Sequence, residues 1–114
     1  MANKELFTRS ATEMIVLTVL AEQDMYVYQI SQEIKQRSHG LFSLSDGVLY
    51  SILYKLAKAG YVTEWTEESN RRIRVYYHLE PSGHEHYRNC LKEFYRAFSC
   101  LSEILPPEES MNEP

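Results

Sequence analysis

Two groups of residues in this chain have the types and spacing to engage a polyanion. The first is Gly47, Tyr50, Ser51, Tyr54 and Lys55, spread over nine residues. At helical spacing these fall on or beside one face, opposite the apolar stripe of Leu49, Ile52, Leu53 and Leu56. The second is Arg71, Arg72 and Arg74, at the tip of an expected hairpin. Ammonium and guanidinium groups neutralise phosphates and release counterions. Tyrosine and lysine can also reach base edges, and the small Gly47 and Ser51 permit close approach. Taken singly, each group is also what a solvated face carries. Their order along the chain gives them weight.

The elements that must position these residues follow from local signals. Ser10-x-x-Glu13 reads as a capping box that opens a helix running to about Ala21, and Gln23-Asp24 reads as a turn. A second helix is expected from Val27 to Ser38, with Gly40 as its stop. A third is expected from Ser43 or Ser45 to Ala59, stopped by Gly60. Val62 to Glu67 and Ile73 to Leu79 are rich in β-branched and aromatic residues and read as a hairpin with a polar tip. Pro81 and a second capping box, Ser82-x-x-Glu85, open a last helix that Pro106-Pro107 ends.

This order predicts a mainly α fold with a small β-hairpin: a winged helix-turn-helix over 6–79, a C-terminal dimerisation helix over 80–105, and a disordered acidic tail over 106–114. In such a domain the second helix of the pair enters the major groove, and the hairpin is a wing that reaches phosphates or the minor groove.

The net charge of −4 looks unfavourable for binding DNA, but its distribution matters more. Between Tyr28 and His78 there are seven Lys/Arg against five Asp/Glu, and the acidic excess lies at the two ends. The apolar stretch Met14–Ala21 is far shorter than the roughly 20 residues of a membrane span, and acidic residues flank it. A core helix and a cytoplasmic protein are expected.

The motifs resemble those of the PadR-type transcriptional regulators, from about Leu6 to Leu105. Met25-Tyr26-Val27-Tyr28-Gln29-Ile30 is similar to that family's M-Y-G-Y-x-I segment, and Leu44–Leu53 to its L-S-x-G-T-L-Y-x-x-L recognition helix. Leu56–Val62 and Arg74–Leu79 are similar to its L-x-x-x-G segment and its R-x-Y-Y-x-L return strand. Val27, Val48, the Ser69-Asn70-Arg71 tip and Glu80 depart from the usual residues. The resemblance implies a dimeric repressor whose DNA affinity falls when a small molecule binds. It also implies that Tyr50, Tyr54 and Lys55, with Arg71, Arg72 and Arg74, face DNA.

Tyr87, Leu91, Phe94, Phe98, Leu101 and Leu105 are spaced 4, 3, 4, 3 and 4 apart, a heptad seam. A second copy of the chain is its expected partner, and packing on the first helix is the competing reading. Two recognition helices one DNA turn apart, about 34 Å, would read a palindrome. Phe7, Met14, Phe94 and Phe98 are candidates to line a space for a small hydrophobic or aromatic effector, against the simpler reading that they pack as core.

No cofactor motif and no metal-ligand spacing is evident. His84 and His86 cannot share one helix face, and all four histidines read as surface residues. Cys90 and Cys100, about 15 Å apart on one helix, read as free buried thiols. No local arrangement suggests an enzyme. Two other functions stay open at this point: a winged helix that binds protein, and a ligand-binding dimer without a role on DNA.

Overall fold

In the computed structural model, backbone is described from residue 2 to 112 and side chains from residue 11 to 112. Helix α1 spans Ala2–Glu22. It therefore runs through Ser10, which is not its cap. No proline or glycine stands between Ala2 and Ser10 to stop a helix there. Val16, Leu17, Val19 and Leu20 are buried in its C-terminal half, and the Thr18 hydroxyl, which could compete with the helix, donates to the Met14 carbonyl at 2.7 Å.

Strand β1, Met25–Tyr26, leads directly into α2, Val27–Arg37. Gln29 folds back so that its Oε1 accepts from the Tyr26 N–H at 3.1 Å, which satisfies a donor at the start of α2. Gly40, at φ +83°, closes the other end, where its N–H donates to the Lys35 carbonyl at 2.8 Å. Arg37 binds Glu33 on its own helix and Glu22 at the end of α1, so the two helices are tied at the surface.

Helix α3, Asp46–Lys58, is capped by Ser45, whose Oγ accepts from the Val48 N–H at 3.2 Å. Leu49, Leu53 and Leu56 are buried along its inner face. Strands β2, Val62–Ser69, and β3, Arg72–Leu79, are joined by Asn70-Arg71 alone. Both turn residues have positive φ, +52° and +64°, as the favoured two-residue hairpin turns require. The tip is thus shorter than the stretch between the expected strands, and Glu68, Ser69 and Arg72 belong to the strands.

The sheet has three strands in the order β1-β3-β2, all antiparallel. Sequence reading missed β1, because two residues are too few to show any period. Its pairing of Met25 with Tyr77 and Tyr26 with Tyr76 fixes the start of α2 against the wing.

Helix α4, Pro81–Ile104, carries proline in its first turn. Ser82 does not form the expected capping box. Its hydroxyl instead donates to the Gly60 carbonyl at 2.9 Å, which joins α4 to the turn after α3. Gly83 makes this junction possible, since a Cβ there would lie 2.2 Å from the Tyr61 carbonyl oxygen. The tail, expected to lack structure, includes a short 3-10 turn of exposed residues at Glu108–Asn112.

One core joins α1, α2, α3 and the inner face of the sheet. Tyr87 packs against it, but α4 then runs outward, and the molecule measures 60 × 28 × 23 Å. A 24-residue helix is about 36 Å long, so α4 accounts for the elongation.

Candidate nucleic-acid interface

The burial of Leu49, Leu53 and Leu56 dictates what α3 presents to solvent. Gly47, Tyr50, Ser51, Tyr54 and Lys55 are all exposed, Tyr50 at 50% and Tyr54 at 65%. Two flat phenol rings left in water are unusual for a packed helix and suit contact with another surface. Lys58, one turn beyond Tyr54, holds its Nζ 5.8 Å from that ring's centre. It is exposed and adds a cation to the face. Val48, also exposed, adds an apolar contact near the helix start.

Beside α3, a groove of about 520 Å³ is lined by Tyr50, Tyr54, Ala57, Lys58, Glu64 and Tyr77. It runs from the recognition face to the root of the wing. Burial first, and then the nearby Glu64 and Tyr50, push the Tyr77 phenol up to about 12. Tyr77 therefore stays neutral and serves as a wall of the groove.

The wing arginines do not behave alike. Arg71 and Arg72 lie at the hairpin tip and are exposed. Arg74 is half-buried, its guanidinium 4.7 Å from the centre of the Tyr26 ring. Tyr26 meets Tyr76 edge-on at 5.3 Å, and Tyr76 stacks on Trp65 at 5.4 Å. Arg74 thus caps an aromatic ladder across the outer face of all three strands. It stiffens the wing and has less freedom to reach a phosphate than its neighbours. The alternation of basic and aromatic residues marked this face, but the ring beneath Arg74 comes from β1.

The remaining candidates divide along α4. Tyr87, Leu91 and Phe94 are half-buried, whereas Phe98, Leu101 and Leu105 are 56%, 51% and 58% exposed. Met14 and Phe94 share a cavity of about 300 Å³ with Glu13, Cys90 and Glu93, and Phe98 is not among its lining residues. Phe7 lies outside the residues whose side chains are described.

Two sequence readings need correction here. Neither thiol is buried: Cys90 is half-buried and Cys100 is exposed, on the outer half of α4 where every described residue is exposed. The histidines are not all free surface residues. His78 Nδ1 lies 2.7 Å from Asp24, and His86 is held between α1 and α4.

Two helices bracketing a short connection, an exposed polar and aromatic second helix, and a β-hairpin with a basic tip define a winged helix-turn-helix. The chain belongs to the transcriptional regulator PadR-like family, whose model matches residues 16–89. A transcriptional regulator from Clostridium thermocellum is 27% identical with a TM-score of 0.82, over 88% of this chain and 98% of that one. A Streptococcus mutans protein is 38% identical with a TM-score of 0.69, over 81% and 83% of the two chains. Bacillus subtilis PadR, solved in complex with operator DNA, shares the fold at 22% identity and a TM-score of 0.65, over 71% of this chain and 46% of that one. No helix among the described residues is long and apolar enough to cross a membrane.

Proposed function

We propose that this chain binds duplex DNA as a homodimer at a palindromic operator and represses transcription in the cytoplasm. It acts by binding, not by catalysis. The observation that carries this reading is the exposed face of α3, where Tyr50, Ser51, Tyr54, Lys55 and Lys58 stand beside a wing tipped by Arg71 and Arg72. The operator complex of Bacillus subtilis PadR, which has the same fold, supports it. The two tyrosines and Lys55 are assigned to bases or phosphates in the major groove. Arg71 and Arg72 are assigned to phosphates beside it, and Gly47 and Ser51 to close approach.

The uncovered Phe98, Leu101 and Leu105 support a second copy as the partner of α4, continuing the seam that Tyr87, Leu91 and Phe94 begin. A small hydrophobic or aromatic effector fits the cavity between Met14 and Phe94, whose volume lies near the lower end of ligand sites. Because that cavity lies against α4, an occupant there would change the angle between the two recognition helices.

Arg72→Glu tests the reading by gel shift on the duplex upstream of the chain's own gene. The variant is expected to keep the parent's circular dichroism and melting temperature and to lose binding. Unchanged affinity would remove the wing from the interface. Binding that ignores salt, together with capture of a protein partner, would favour an interaction module instead.

A further inference from the structure

Helices α1 and α4 cross beside Tyr61. There Glu13 of α1 meets His86 and Cys90, which lie one turn apart on α4. His86 Nε2 is 3.1 Å from a Glu13 carboxylate oxygen and 3.6 Å from Cys90 Sγ. One donor atom from each of the three lies within 4.8 Å of the others, and all three residues are half-buried.

Hydrogen bonding alone uses this trio poorly. If Nε2 carries its proton and donates to Glu13, the Cys90 S–H is left with Nδ1 at 4.0 Å, the outer limit of a sulfur hydrogen bond. If Nε2 accepts from the thiol, the Glu13 carboxylate faces a nitrogen lone pair. One nitrogen with a carboxylate and a sulfur both in reach is what a shared cation resolves.

The Nε2···O and Nε2···S distances are near those of a zinc site, and because Sγ also lies 4.0 Å from Nδ1, off the Nε2 lone pair, Cys90 must turn about its Cα–Cβ bond to complete the site. Zinc bonds of about 2.0–2.1 Å to N and O and about 2.3 Å to S, at tetrahedral angles, put N and O about 3.3 Å apart and N and S about 3.6 Å apart. Two ligands at i and i+4 share a helix face. The His86 ring is already oriented, since the Tyr61 ring stacks on it at 4.2 Å and 7°. Glu93 lines the same cavity as Glu13 and Cys90, so the surroundings are anionic.

We propose that Glu13, His86 and Cys90 form a binding site for a divalent transition metal of the zinc type, with the fourth position open to water. The mixed O, N and S donor set suits zinc or cobalt and disfavours magnesium and calcium, which take oxygen ligands. The site would fasten the inner half of α4 to α1, next to the turn that follows α3. It stands apart from the DNA-binding reading, because its test involves no DNA.

The test is titration of the metal-free full chain with Co²⁺, followed by competition with Zn²⁺. One equivalent per chain is expected, with a thiolate-to-cobalt charge-transfer band that Zn²⁺ removes. Cys90→Ser and His86→Gln should each abolish the band and weaken Co²⁺ binding by more than the roughly 10–100-fold that a supporting residue costs. Cys100→Ser should leave both unchanged. Circular dichroism of each variant separates lost binding from lost folding. The Cys90→Ser change is small and half-exposed, so a folded variant is expected. No thiolate band at one equivalent, a band that survives Cys90→Ser, or one that follows Cys100 would each overturn the assignment.

Discussion

The two halves of α4 continue one heptad spacing of apolar residues and meet opposite fates. Along the inner half, Tyr87 reaches the core and Leu91 and Phe94 are half-buried. Along the outer half, Phe98, Leu101 and Leu105 project into solvent. The inner half is fastened by contacts that no heptad pattern contains: Ser82 to the Gly60 carbonyl, Gly83 against Tyr61, and Tyr61 on His86. An apolar stripe therefore says that a helix face must be covered, and contacts from distant segments decide what covers it.

That contrast can be broken or sharpened by substitution. The largest effect is expected in the outer half. Phe98→Ala combined with Leu101→Ala should weaken the dimer by about 4 kcal/mol or more, roughly a thousandfold in Kd, because a two-fold seam loses each side chain twice. Sedimentation would show monomer at concentrations where the parent is dimeric, with the fold intact by circular dichroism.

In the inner half, Gly83→Ala should cost about 3 kcal/mol in chemical denaturation, since its Cβ would overlap the Tyr61 carbonyl and the Leu79 side chain. That loss should not depend on protein concentration. If it did, the junction at Gly83 would also belong to the dimer seam.

The packed domain also predicts a pH response through Tyr77. Its phenol rises from the ordinary 10.0 to about 12 in the folded chain, so the neutral form is favoured there. The stabilisation is complete below pH 10 and is lost as pH climbs from 10 to 12. The drop should be about 2–3 kcal/mol. Denaturation curves on either side of this window should show it in the parent and not in Tyr77→Phe. The smallest effect is Ser45→Ala, about 1 kcal/mol from loss of the α3 cap, read as a shift in denaturation midpoint.

Much of the architecture was legible because its punctuation is local. Ser45, Gly40, Gly60 and Pro81 end or begin helices through their own backbone and side chains, and the bounds of α2, α3 and α4 fall within a residue or two of expectation. The recognition face was legible for the same reason: once Leu49, Leu53 and Leu56 turn inward, the helical period places Tyr50 and Tyr54 outside. What was not legible depends on partners far along the chain. β1 exists only by pairing with β3, and Arg74 of β3 is drawn onto the Tyr26 ring of β1. Ser82 has the spacing of a cap but finds Gly60 first. Glu13 stands 73 residues from His86, so no motif of fixed spacing could join them. Ser10-x-x-Glu13 has the spacing of a capping box, but nothing upstream of it stops a helix, and α1 begins at Ala2.

The central claim is that the α3 face and the wing tip bind duplex DNA as a two-fold pair. Selection of duplexes from a randomised library by the purified chain, followed by titration of the winners at two salt concentrations, tests it most directly. The predicted result is enrichment of an inverted repeat with half-sites about one turn, roughly 34 Å, apart. Its affinity should fall on the order of a thousandfold between about 50 and about 200 mM salt. Failure to enrich any sequence over the starting pool, with binding that does not respond to salt, would contradict it.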